Sequence, residues 1–204
     1  MAFRVNYRGN QGFSLGPLGF LIVANVILYL ATSIRPELFI NLFGLSRQDF
    51  LSQPWTILTN MFIHSPFPNW SHIFANMLTL YFYGSYLINL VGEKKFFIVY
   101  FLGGLLGNVA YLFMPSPFSA SPFSIAIGAS GAVFAVGGAL TVLRPKVKVL
   151  ILPILVPIPL WVAVIGGFIV LSFFPSVAWQ AHFGGLVLGL VAGYLFRGKT
   201  HFFY

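Results

Sequence analysis

Long apolar runs separated by short polar or proline-rich stretches set the pattern of this chain. They fall at about 18–33, 70–91, 96–114, 125–143, 160–174 and 177–196, and each is expected to form a membrane-spanning helix. The first two runs are joined by a long connector, about 34–68, that carries Arg35, Glu37, Arg47 and Asp49 together with Trp55, Phe62 and Phe67. Connectors of that length are often functional, and aromatic side chains suit a membrane interface. In the third run Gly103 and Gly107 make a small-xxx-small pair that permits close helix contact.

The stretch before the fifth run breaks the pattern. Pro153, Pro157 and Pro159 leave residues 149–158 unsuited to a regular helix, whereas Pro159 suits a helix start. At ~1.5 Å per residue, 160–174 reaches roughly 22 Å, short of a ~30 Å hydrocarbon core. A short, loosely tethered helix is the element expected to move.

Composition and charge turn this pattern into a topology. Of 204 residues 58% are hydrophobic and only 7% charged, which excludes an ordinary soluble domain. The excess of 11 Lys and Arg over 3 Asp and Glu does not signal a nucleic-acid binder, because the basic residues cluster between apolar runs. Nine of them (Arg4, Arg8, Lys94, Lys95, Arg144, Lys146, Lys148, Arg197, Lys199) fall on one side and only Arg35 and Arg47 on the other. By the positive-inside rule both termini are cytoplasmic, with residues 1–14 a short cytoplasmic arm and the 115–122 turn external. Residues 18–33 resemble a signal peptide's apolar core, with Ala31-Thr32-Ser33 as a weak cleavage site, but the five further runs favour a first span. With no cysteine, thiol and disulfide chemistry are excluded. The expected fold is an all-α membrane protein, one six-helix bundle over 1–204.

With this orientation the second, fourth and sixth runs all begin on the external side. His72 and Asn76 lie early in the second, four apart on one helix face; Ser130 and His182 each lie about five residues into the fourth and sixth, roughly 8 Å below the outer boundary. Each has a bland reading. A serine in a span commonly bonds back to its own helix, Asn76 could bridge helices, and His72 could sit at the interface. His182 is harder to dismiss, since an ionisable group in a span is costly and faces the bundle interior. Gly128 and Gly131 flank Ser130, and Gly185, Gly189 and Gly193 recur every four residues; both are packing signals that would also bring His182 within reach of Ser130. A serine hydroxyl needs a base to take its proton. His182 is the base available, and no acid is placed to orient it: Glu37 and Asp49 lie in the connector and Glu93 on the cytoplasmic side. A serine hydrolase here would therefore use a dyad, with His72, the Asn76 amide and the Ser130 backbone N–H as the donors available to an oxyanion.

Taken together, Gly128-x-Ser130-Gly131, His72-x-x-x-Asn76 and Ala181-His182-x-x-Gly185-x-x-x-Gly189 resemble the signature set of the rhomboid intramembrane serine proteases in their minimal six-helix form. The resemblance implies Ser130 as nucleophile, His182 as base, and His72 and Asn76 as oxyanion donors. It also implies cleavage of transmembrane protein substrates in or near their spans within the lipid bilayer; with the charge-derived orientation the active site is expected to open to the external side of the cell membrane, and no metal, cofactor or nucleic acid is expected. It implies further that the connector lies partly in the outer leaflet and that the fifth helix and the 172–180 loop gate access. Two departures stand out. The Trp-Arg common in the connector is Trp55-Thr56 here, so that loop is expected to be anchored differently. The tyrosine that often stacks on the histidine is Phe134, which keeps the ring without its hydroxyl. A catalytically inactive rhomboid-like escort of membrane clients and a small transporter are the alternatives. Intact Ser130 and His182 weigh against the first, and the lack of an inverted repeat against the second.

Overall fold

The computed structural model describes residues 16–115, 124–150 and 156–198. The polar arm 1–14, most of the 115–122 turn, residues 151–155 and the tail from 199 lie outside the described residues. Helix α1 (Pro17–Ile34) starts with proline in its first turn, and two of its polar side chains donate back to its own carbonyls. The Asn25 amide donates to Leu21 O at 2.8 Å and the Thr32 hydroxyl to Leu28 O at 2.7 Å.

The connector is more ordered than a loop. It holds helix α2 (Pro36–Phe43), strand β1 (Leu45–Ser46), helix α3 (Thr56–Thr59) and a 3-10 turn at Asn60–Phe62. Helices α4 (Trp70–Val91) and α5 (Glu93–Phe113) are joined through Gly92 alone, whose φ of 86° lets the chain reverse in one residue. Strand β2 (Ile125–Ala126) then pairs antiparallel with β1, Leu45 opposite Ala126 and Ser46 opposite Ile125.

Helix α6 (Ser130–Leu143) is the core of the molecule. Only Ser130, Phe134 and Val142 of its side chains escape full burial, and α4, α5, α7 and α8 surround it. Its Gly, Ala and Val side chains let neighbouring backbones come close. An antiparallel ribbon of β3 (Lys148–Leu150) and β4 (Pro157–Pro159) leads into α7 (Leu160–Ser172), and α8 (Trp179–Phe196) closes the bundle. The closest packing is α6 on α8, where Gly185, Gly189 and Gly193 face the carbonyls of Gly131, Ala135 and Ala139. Gly103 of α5 accepts the Ala135 methyl and Gly107 the Ala181 carbonyl. By contrast α7 buries only Leu160 and Val164.

One boundary differs from the apolar pattern. The run 125–143 is not one helix, because Ile125 and Ala126 are held extended by β1 and Gly128 takes a φ of 118°. The helix begins at Ser130, and His182 is the fourth residue of α8, so neither lies five residues inside its helix.

The outer faces are apolar. Phe20, Ile27 and Leu30 on α1, Phe82 on α4, Val170 on α7 and Val191 and Leu195 on α8 are all more than half exposed. So much contiguous apolar surface suits lipid and not water. Three helices, Pro17–Ile34, Glu93–Phe113 and Trp179–Phe196, are long and apolar enough to cross a membrane. The protein is a mostly helical, multi-pass integral membrane protein.

Candidate active site

Three helix starts meet at one end of the bundle. Ser130 is the first residue of α6, delivered by a turn only glycine adopts easily. Gly128 donates its N–H to Asn60 O at 2.9 Å, and a β-carbon on it would lie 2.8 Å from His72 Nε2. His182, on the first turn of α8, brings its Nε2 to 2.7 Å from Ser130 Oγ. The α6–α8 glycine contact makes that approach feasible, because both side chains hang from the two most closely packed helices.

The His182 ring is buried, and its Nδ1 has no hydrogen-bond partner among the described residues. Phe134, one turn beyond Ser130, packs on it with ring centroids 4.6 Å apart and planes at 33°. The missing hydroxyl therefore does not cost the ring contact. Phe134 in turn meets Phe168 of α7 edge-on at 6.1 Å.

His72 and Asn76 enter from the first turns of α4. The Asn76 amide donates to His72 O at 2.9 Å, which engages one of its two N–H groups and leaves the other for the cavity it lines. His72 Nδ1 lies 3.3 Å from Ser65 N and 3.1 Å from Ser65 Oγ. Behind it His64 is fully buried, its ring 5.1 Å from that of His72. Burial, with His72 beside it, pushes the His64 pKa down to about 3, so that ring stays neutral at ordinary pH.

These groups share a cavity of about 760 Å³ whose wall includes Ser130, His182, His72 and Asn76. Phe174 to Ala178, the segment after α7, forms part of its lining. Among the described residues no carboxylate lines it, and no group of three His, Asp or Glu is placed to hold a metal ion.

Residues given no site role from the sequence hold the site together. Asn60 and Asn108 exchange amide hydrogen bonds at 3.0 and 2.7 Å, and Asn108 also donates to Ile57 O at 2.7 Å. This clasp ties the connector to α5 and fixes the Asn60 carbonyl that receives Gly128. Arg47 donates to Tyr111 O at 2.8 Å and Met114 O at 2.7 Å, satisfying carbonyls at the end of α5, and lies over the Tyr111 ring. Thr56 bonds only locally, to Gln53 O at 2.6 Å, while Trp55 donates to Leu42 O at 2.8 Å. The connector is thus anchored by Arg47 and the asparagine pair, not by the residue after Trp55.

A family model described as Rhomboid domain matches residues 51–199, which takes in Ser130, His182, His72 and Asn76. The chain belongs to the rhomboid family. It is 29% identical over 170 residues to Rhomboid protein 1, mitochondrial, of Saccharomyces cerevisiae, covering 76% of this chain and 46% of that protein. It is 28% identical over 127 residues to Rhomboid-like protease 3 of Toxoplasma gondii, covering 58% and 45%. The match to RHOMBOID-like protein 12, mitochondrial, of Arabidopsis thaliana is 28% over 191 residues, covering 84% and 56%. The chain spans about half the length of the curated relatives it matches.

Proposed function

We propose that this rhomboid-family protein is an intramembrane serine endopeptidase that cuts membrane-anchored proteins in or near their transmembrane segments, using Ser130 and His182 as a dyad. The observation that carries the reading is the 2.7 Å contact between His182 Nε2 and Ser130 Oγ at the wall of a cavity without a carboxylate. His182 Nε2 takes the hydroxyl proton as Ser130 Oγ attacks the peptide carbonyl. The oxyanion draws on His72, the Asn76 amide and the Ser130 backbone N–H. The intermediate collapses as the protonated ring passes its proton to the leaving amine, leaving an acyl-serine. Water, deprotonated by the same ring, then releases the acid. The direct test is incubation of purified protein in lipid with single-span substrates and mass mapping of the cuts. A fluorophosphonate should label Ser130, whereas failure of both would sink the protease reading.

On this reading the six long helices form one integral membrane domain in the cell membrane, termini cytoplasmic and cavity external. Since the chain has no cysteine, introduced ones report without background. A cysteine at exposed Ser176 should react with an impermeant thiol reagent from outside, and one at exposed Lys146 should not. The reverse pattern would invert the topology.

Substrate would reach the cavity past α7, the least buried of the long helices. Leu160 N–H to Val147 O at 2.8 Å ties down the end that this reading makes cytoplasmic, and the outer end is the one assigned the gating movement. Crosslinking cysteines at Phe173 and Phe74 should suppress cleavage of a transmembrane substrate while fluorophosphonate labelling of Ser130 survives. Equal loss of both would count against a gate.

A further inference from the structure

The two ring nitrogens of His72 face different things. Nδ1 faces Ser65, whose backbone N lies at 3.3 Å and Oγ at 3.1 Å. Nε2 borders the turn that carries the nucleophile: a β-carbon on Gly128 would sit 2.8 Å from Nε2 and 3.9 Å from Ser130 Oγ, so the two groups border one small space. A backbone N–H can only donate. Its partner nitrogen must therefore present a lone pair, and a neutral imidazole with its lone pair at Nδ1 carries its proton on Nε2.

We infer that Ser65 is a positioning residue that holds His72 in the Nε2–H tautomer and thereby makes it a hydrogen-bond donor towards the space beside Ser130. The inference rests on the protease reading for its catalytic meaning, though not for its geometry. In the opposite tautomer Nε2 would present a lone pair to a developing oxyanion, turning an attraction into a repulsion. The donor matters more here because Asn76 already spends one of its two N–H groups on His72 O.

The chain makes this contact hard to lose. Ser65 precedes Pro66, and a residue before proline is kept from the helical region, so the amide's direction is a backbone property and not a rotamer choice. Ser65 also follows the fully buried His64, and His72 sits in the first turn of α4. The hydroxyl can donate or accept and adds strength. The amide carries the choice of tautomer.

Nitrogen-15 NMR of the histidine-labelled full chain in lipid reads this directly. The chain has 4 histidines, so loss of signals in His72→Ala assigns the ring. The expected spectrum shows an unprotonated Nδ1 and a protonated Nε2 for His72. A proton on Nδ1 would overturn the inference whatever the activity. Ser65→Ala, which keeps the amide, should keep the tautomer and lose less than about tenfold in kcat. Ser65→Pro removes the donor and should lower kcat by about 10²-fold, the scale of one lost oxyanion donor. In a His72→Ala background the same change should cost little more, since it acts through that ring. Full additivity of the two losses would overturn the inference even with the expected tautomer, and if the proline variant does not fold, the wild-type spectrum decides alone. Should the wild-type protein cut nothing, the protease reading fails while the tautomer is still measured.

Discussion

Ser130→Ala is expected to abolish peptide-bond cleavage, with a loss on the order of 10⁴–10⁶-fold, and His182→Ala to do nearly the same. On the protease reading the two act as a unit. Without His182 the hydroxyl keeps its proton, and without Ser130 Oγ the freed base has no nucleophile within 2.7 Å to activate. The double variant should therefore be less than about tenfold slower than either single one. Asn76→Ala removes one donor among several and should cost about 10²–10³-fold. Turnover is measured by mass-mapped cleavage of a single-span substrate in lipid, with thermal melts to show that each variant is folded. A folded Ser130→Ala protein that still cut at the wild-type rate would end the protease reading. Strictly additive losses for Ser130 and His182 would end the dyad.

Much of the helical frame was legible, because an apolar run long enough to cross a bilayer has few other ways to satisfy its backbone. Helices occupy all six runs, and the proline-rich stretch before the fifth does hold two short strands, with α7 starting just after Pro159. His182 was legible for the reason that made it hard to dismiss: a polar ring in such a run needs a cause. Its contact with Ser130 followed from glycines spaced to let α6 and α8 touch. What the apolar pattern could not give was the start of α6. Ile125, Ala126 and Ile127 are as apolar as the helix they precede. They stay outside it because Leu45 and Ser46, far earlier in the chain, supply strand partners. Counting from the start of that apolar run therefore places Ser130 further inside its helix than it is, although the two side chains still meet.

The supports of the site were less legible than the site itself. Asn60 and Asn108 are separated by 48 residues, and neither stands out locally. An amide pair becomes visible only when the fold makes each the other's partner. Arg47 did carry a signal, as one of the two basic residues set apart from the other nine. Charge counting assigned it to topology, while its guanidinium is spent on the last carbonyls of α5. Both cases are tertiary hydrogen bonds, which have no period and no fixed spacing in sequence.

Gly185→Ala and Gly189→Ala should each be severe, although alanine is normally the better helix residue. A β-carbon at Gly185 would overlap the Gly131 carbonyl and one at Gly189 the Ala135 carbonyl. Both obstacles are backbone, so no rotamer change relieves them and α8 must move away from α6. Overpacking of this kind costs about 1–3 kcal/mol. The larger consequence is for the site, since Ser130 and His182 hang from the two helices being separated. A misplacement of ~1 Å can cost about 10²-fold in rate, and the loss at Gly185, nearest His182, should be at least that large. Gly193→Ala, whose β-carbon would lie 2.6 Å from Ala139 O, should destabilise with less effect on rate because it sits furthest from the dyad. The contrast is α7. At Gly166 and Gly167 an added β-carbon meets nothing within 4 Å, so alanine there should keep activity and stabilise by about 0.5–1 kcal/mol. Thermal melts and cleavage rates in lipid, taken on all five variants, separate the outcomes. If Gly185→Ala cut at the wild-type rate, close α6–α8 packing would not be what brings His182 to Ser130.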